Sequence, residues 1–254
     1  MSSVAAAWKR LPWWVEPMSV VFVLTAFGLY SATIVLLYPG DSEQFPQYLS
    51  PFYSPPIGRP DWLPGFVTAP LFVLWIPLGF RATCYYYRKA YYRAFFWDPP
   101  ACSGKAQQLD RPWAESTESY RGERALFVLN NIHRYFLYAS FVVVAFLWYD
   151  AVLTFFPEGG FGVKVGSLIW VFNVTLVSAY TFSCHSLRHL VGGRVDCFSC
   201  VRGGNVRRKA YNGISRLNAK HPQWAWVSLF SLLLTDVYFR LISAGVIPDL
   251  TIIG

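Results

Sequence analysis

Between Cys184 and Cys200, seventeen residues hold three of the chain's five cysteines and two of its four histidines. The stretch opens Cys-His-Ser-Leu-Arg-His, runs through Leu-Val-Gly-Gly-Arg-Val-Asp and closes Cys-Phe-Ser-Cys. His185 and His189 stand at i and i+4, so a helix puts both imidazoles on one face. Cys197 and Cys200 form a Cys-x-x-Cys bite, and Gly192-Gly193 is a hinge able to fold it back onto the histidines. Two imidazoles and two thiolates in a small volume make a metal-ligand inventory.

Four chemistries compete for it. Cysteines can be buried small hydrophobes, with interfacial histidines beside them. Four N/S donors can close a tetrahedral zinc site that staples the loop. Two Cys on one iron and two His on the other make a Rieske-type [2Fe–2S] centre, whose raised potential suits a quinone as acceptor. The soluble Rieske pattern, Cys-x-His followed by Cys-x-x-His, is absent, so only ligand count and type match. A single b-haem held by His133 with His185 or His189 is the fourth reading.

The elements that carry these residues are membrane spans. The chain is 54% hydrophobic, 19% aromatic and 14% charged, with mean hydropathy +0.32; soluble domains carry about 25% charged residues. Five apolar stretches approach the roughly 20 helical residues that cross a hydrocarbon core. They cover about 15–38, 66–86, 132–156, 163–185 and 224–247, which predicts an all-α, five-helix transmembrane bundle forming one domain over 1–254. The first stretch is full length and lacks a small-residue cleavage site, so it reads as a span and not a secretory signal. No internal repeat is evident.

Net charge is +8, and its distribution points to a membrane and away from nucleic acid. Lys9 and Arg10 precede the first span. Eight basic residues lie between spans two and three, from Arg81 to Arg124, and eight between spans four and five, from Arg188 to Lys220. The other two loops hold one each, Arg59 and Lys164. Positive charge gathers on the cytoplasmic side, so the N-terminus is expected inside and the C-terminus outside the plasma membrane. Trp8, Trp13, Trp14, Trp97, Trp113, Trp224 and Trp226 fit headgroup depth. The proline-rich stretch 39–64 excludes a regular helix and is expected to cap the outer face.

On this topology every histidine and cysteine falls on the cytoplasmic side: Cys84 ends span two, Cys102 lies in the basic loop, and His133 opens span three. Cys184 closes span four, and His221 precedes span five. Disulfides are not expected in a reducing cytoplasm. The outer half has no histidine, which excludes a second haem there. Inside the spans, Asp236 and Arg240 are spaced as an i,i+4 ion pair, with a proton relay as the alternative, and Asp150 should face the bundle. The run from Arg81 to Trp97 interleaves basic and aromatic side chains. After a span this reads as a snorkelling helix end that docks a partner, or as a quinone headgroup site in which Tyr85 or Arg88 reaches a carbonyl.

Three motifs occur in order: Arg-Ala-Thr-Cys-Tyr-Tyr-Tyr-Arg-Lys-Ala-Tyr-Tyr-Arg…Pro-Pro-Ala-Cys over Arg81–Cys102, Asn131-Ile-His-Arg-Tyr, and Ser183-Cys-His-Ser-Leu-Arg-His. Together they resemble the membrane-anchor subunit of an actinobacterial-type succinate dehydrogenase, across nearly the whole chain. The resemblance implies docking to a flavoprotein and an iron–sulfur subunit on the cytoplasmic face, transfer of electrons to menaquinone, and room for a higher oligomer. In the mycobacterial branch a membrane-embedded Rieske-type centre replaces haem, and the inventory here suits that branch. His185, His189, Cys197 and Cys200 are the expected ligands, with Cys84, Cys184 and His133 in reserve. The other-class alternative is a non-redox, zinc-stapled membrane anchor or assembly protein.

Overall fold

A computed structural model describes residues 12, 14–37, 48–56, 58, 62, 64, 68, 70–96, 129–157, 160–193 and 197–254. Cys102 and the rest of 97–128 lie outside the described residues. The described chain is helical: α1 (Val15–Leu37), α2 (Leu71–Thr83), α3 (Tyr85–Phe95), α4 (Leu129–Leu153), α5 (Val165–Phe182), α6 (His185–Gly192), α7 (Gly204–Asn218) and α8 (His221–Ser243). Two short antiparallel strands, β1 (Val163–Lys164) and β2 (Thr251–Ile253), pair at one end.

Among the described residues, four helices are long and apolar enough to cross a membrane: α1, α4, α5 and α8. Their bounds follow the expected spans closely. The stretch expected to span 66–86 differs. Its helix is 13 residues long, about 20 Å at 1.5 Å per residue against a core of roughly 30 Å. It begins after Pro70 and ends where the backbone of Cys84 turns extended (φ −61°, ψ 130°). The chain then restarts as the amphipathic α3. The same break recurs at Cys184 (φ −62°, ψ 138°), between α5 and α6.

Connected helices run in alternating directions. The end of α2, the start of α4, the end of α5 and the start of α8 meet at one end of the bundle, where Phe80, Leu137, Tyr180 and Ala225 form a buried core with Cys84 and Cys184. The opposite end has its own core, with Trp170, Val174 and Phe239 essentially inaccessible. Gly79 lets α2 approach α4, since a Cβ there would run into the Phe136 ring. Helix α8 stops at Gly245 (φ 68°). Val246 N–H bonds Leu241 O at 3.0 Å and Gly245 N–H bonds Ile242 O at 2.9 Å, the Schellman pattern that only a left-handed residue completes easily.

Residues 48–56 plug that second end, as expected of a cap. Tyr48 donates to Asp249 at 2.5 Å, and Asp249 also accepts from Gly166 N–H at 3.0 Å. Ser54 donates to Asp150. Asp236, fully buried, accepts from Tyr30, Ser50 and Arg240, the last at 2.8 Å. The i,i+4 ion pair read from the spacing is therefore present, and it ties α8 to α1 and to the cap.

Removing one partner of such a buried pair strands a charge at a cost of about 3–5 kcal/mol. Arg240→Met is expected to lower the melting temperature of the purified complex, and Asp236→Asn in the same chain to restore part of it. A double variant no more stable than Arg240→Met would show that the stranded charge is not the cause.

Candidate functional site

The core at the first end contains a four-residue site assembled from four helix termini. Cys84 follows α2, Cys184 follows α5, His133 lies in the second turn of α4, and His221 is the first residue of α8. All four are buried, at 3%, 1%, 5% and 1% exposure, and both thiols are free. His133 Nε2 lies 3.1 Å from Cys184 Sγ, and His221 Nε2 lies 3.4 Å from Cys84 Sγ. On the other ring edge, His133 Nδ1 lies 2.9 Å from Thr83 Oγ1 and His221 Nδ1 lies 2.7 Å from Ser183 Oγ.

The hydroxyls fix both tautomers. Thr83 donates its hydrogen to Gly79 O at 2.6 Å, and Ser183 donates to Tyr180 O at 2.9 Å. Each hydroxyl oxygen is then an acceptor for the imidazole, so Nδ1 carries the proton and Nε2 presents its lone pair to a thiol. A metal-ligating histidine has the same arrangement: one nitrogen held by an outer partner, the other bare.

The site is built from two equivalent segments one hundred positions apart. Phe80-Arg-Ala-Thr-Cys and Tyr180-Thr-Phe-Ser-Cys each place an aromatic, a hydroxyl and a thiol at matching positions. Phe80 stacks on His133 with ring centres 4.7 Å apart, and Tyr180 stacks on His221 at 5.1 Å. Each histidine bonds the hydroxyl of its own half and faces the thiol of the other. Too few positions match for a sequence repeat to be visible, but the local geometry is repeated.

Charge surrounds the site without entering it. Arg81 lies over the Tyr180 ring at 4.6 Å and donates to Tyr87 Oη, Ala225 O and Ser228 Oγ at 2.7–3.2 Å. Burial pushes the Tyr87 hydroxyl up to about 12, against the pull of Arg81, so it stays protonated and donates to Ala225 O at 2.7 Å. Arg188 donates to Ser215 and Tyr211, and Asn218 donates to Ser183 O at 2.7 Å. These contacts hold the basic helix α7 over the site.

The four ligands expected from spacing do not gather in one place. Cys197 and Cys200 are joined to each other as a disulfide, where free thiols were expected. The adjacent thiols of a Cys-x-x-Cys turn reach one another more readily than they reach back across the glycine hinge. His185 and His189 share a face of α6 as the i,i+4 spacing predicts, but both are exposed. His189 Nδ1 meets the Arg134 guanidinium at 3.3 Å, and His185 lies edge-on to His221 at 5.8 Å. The three reserves, Cys84, Cys184 and His133, all belong to the buried site. The residue missed was His221, which opens α8 much as His133 opens α4. Tyr85 is 63% exposed, with Arg88 5.9 Å over its ring, on the surface beyond Cys84.

Among the described residues no three His, Cys, Asp or Glu donors converge as one metal ion requires. A binuclear cluster asks less, because its sulfides supply the remaining ligands and each iron takes two from the protein. Two bare Nε2 atoms and two buried thiols fit that demand.

Membrane-crossing helices around a buried pair of imidazoles and a pair of thiols define an integral membrane protein with a donor set suited to a redox centre. Residues 15–245 match the family described as actinobacterial succinate dehydrogenase subunit SdhC, and the chain belongs to that family. It is similar to a chain of the Mycobacterium smegmatis Sdh1 complex in the apo form, at 38% identity over 96% of this chain and 93% of that one, with a TM-score of 0.75. No match is found among curated proteins. The protein is thus a multi-pass membrane subunit of a succinate dehydrogenase, whose other subunits are its partners.

Burial has a direct consequence for the thiols. In metal-free folded protein, Cys84 and Cys184 are expected to resist alkylation until the chain is unfolded, while Cys197 and Cys200 are modified only after reduction. Mass analysis of timed alkylation reads this, and rapid modification of Cys84 in folded protein would contradict it.

Proposed function

We propose that this chain anchors succinate dehydrogenase in the membrane and hands electrons from the iron–sulfur subunit to menaquinone through a Rieske-type [2Fe–2S] centre held by Cys84, Cys184, His133 and His221. The observation that carries the reading is the pair of imidazoles with Nδ1 committed to a hydroxyl and Nε2 turned to a buried thiol. When bound, the cluster supplies a one-electron carrier whose potential is raised by imidazole ligation. The chain's own residues set the conditions for it. Thr83 and Ser183 orient the rings, Phe80 and Tyr180 cover them, and the surrounding apolar core excludes water. Arg81 places positive charge beside the site without donating to it.

The exposed aromatic and basic residues of α3, Tyr85, Lys89 and Tyr92, lie beside half-buried Arg88 on the surface beyond Cys84 and suit docking of the iron–sulfur subunit. A b-haem is less well accommodated, because Cys184 Sγ already lies 3.1 Å from the only bare nitrogen of His133. Zinc on the same four residues is the second reading, since two thiolates and two imidazoles also make a structural zinc set.

Metal and acid-labile sulfide analysis, with EPR of the reduced complex, separates them. The expected result is two irons, two sulfides and a Rieske-type signal, lost in Cys84→Ser, Cys184→Ser, His133→Ala and His221→Ala but kept in Cys197→Ser and His189→Ala. Stoichiometric zinc without iron would sink the redox reading. Loss of the signal in Cys197→Ser would return the ligand set to the loop.

We further propose five crossings, with α2 and its flanking residues making the second, and the four-residue site at the cytoplasmic end. Positive charge supports this orientation. In intact cells a membrane-impermeant maleimide is expected to modify Gly160→Cys but to reach Arg208→Cys only after permeabilisation. The reverse pattern would invert the topology.

A further inference from the structure

Cys197 and Cys200, singled out by their spacing, take no part in the buried site. They close a disulfide between positions three apart in the chain. Ser199 and Cys200 are exposed, while Cys197 and Phe198 are half-buried. A reagent in solution therefore reaches one sulfur more readily than the other. As a staple the bridge does little, because a cross-link over so short a loop takes little freedom from the unfolded chain. Disulfides that occur in cytosolic surroundings are mostly transient and serve exchange or redox sensing.

The two sulfurs are not equivalent. Ser199 Oγ lies 3.1 Å from Cys197 Sγ. A disulfide sulfur has no hydrogen to give, so the serine hydroxyl is the donor. That hydrogen bond strengthens as negative charge gathers on the sulfur, which makes Cys197 the better leaving thiolate. From Arg194 to Lys209 the sequence carries five cations and one carboxylate, Asp196, an excess that favours thiolates. Exposure and the hydroxyl agree: attack falls on Cys200 Sγ and Cys197 departs.

The turn is also joined to α7. A Cβ on Gly204 would collide with the Phe198 carbonyl, and Gly204 N–H bonds Val201 O at 3.0 Å. The Phe198 ring lies 5.8 Å from that of Tyr211, whose hydroxyl accepts from Arg188. At the far end of the same helix, Asn218 donates to the Ser183 carbonyl, and the Ser183 hydroxyl holds His221. One helix thus runs from the disulfide turn to the buried site.

We propose that Cys197 and Cys200 form a thiol–disulfide exchange site for a cytosolic dithiol protein of the thioredoxin kind, and that reduction frees the start of α7. A thiolate of the dithiol attacks Cys200 Sγ, the Cys197–Cys200 bond breaks, and Cys197 leaves as a thiolate. The second thiol of the dithiol then cleaves the mixed disulfide and releases Cys200. The dithiol ends as a disulfide, and two electrons and two protons pass to Cys197 and Cys200. The assignment rests on the cytoplasmic orientation proposed above and not on the identity of the group in the buried site.

The test uses the intact purified complex and a thioredoxin lacking its resolving cysteine, which halts exchange at the mixed disulfide. Peptide mapping is expected to find thioredoxin linked to Cys200. A link to Cys197, or no link where the unfolded complex does react, would overturn the assignment. Ser199→Ala should slow reduction by complete thioredoxin about three- to tenfold, the scale of one hydrogen bond to a developing charge; an unchanged rate would remove the hydroxyl from the step. Hydrogen exchange in peptides covering 204–211 should quicken on reduction and in the double variant Cys197→Ser, Cys200→Ser. Exchange that stays the same in both would contradict the release of α7. Modification of Arg208→Cys by the impermeant maleimide in intact cells would instead remove the orientation, and with it the cytosolic dithiol, even where thioredoxin reacts with the purified complex.

Discussion

Each imidazole of the buried site has one nitrogen on a hydroxyl and the other on a thiol, and the surrounding helices are arranged so that this is possible. Inside a buried protein core little water competes for polar groups, so a group left unpaired there carries a penalty. The chain meets this by ending α2 and α5 at a hydroxyl–cysteine pair. The extended backbone at Cys84 and Cys184 turns both thiols into the bundle, and the hydroxyl one residue earlier bonds back into its helix while accepting from a ring.

The crossed connection couples the site to the fold. His133 takes its hydroxyl from α2 and faces the thiol after α5; His221 takes its hydroxyl from the end of α5 and faces the thiol after α2. Neither half is complete alone, so the donor set exists only once four helix ends have docked. The apolar packing of Phe80, Leu137, Tyr180 and Ala225 is what brings them together. A cofactor held here would stabilise the native state over the unfolded one, since the unfolded chain presents no such set.

The opposite end of the bundle solves the same problem with different chemistry. Asp236, Asp150 and Asp249 are satisfied by tyrosine and serine hydroxyls, a backbone N–H and Arg240. Hard oxygen donors gather there and soft nitrogen and sulfur donors gather at the site, with an apolar cavity between. The two ends of the bundle thus differ in chemistry in a chain that belongs to the succinate dehydrogenase SdhC family.

Much of this was legible in the chain. Composition and hydropathy determine a membrane-spanning helical protein, because long apolar runs have no other stable solution in lipid. Spacing determines the Asp236–Arg240 pair and the shared helix face of His185 and His189, since one turn of helix fixes both. Local density of cysteine and histidine was a poorer guide to the site. Closeness along the chain favoured Cys197 and Cys200, whose nearest partners are each other, while the residues that meet are separated by up to 137 positions, as Cys84 and His221 are. Their convergence depends on which helices pack and where each one stops, which is a property of three-dimensional packing and not of any window of sequence. The shortening of α2 at Cys84 belongs to the same class. An apolar run permits a helix of full length, whereas in the fold the backbone turns extended at Cys84 and its thiol faces His221.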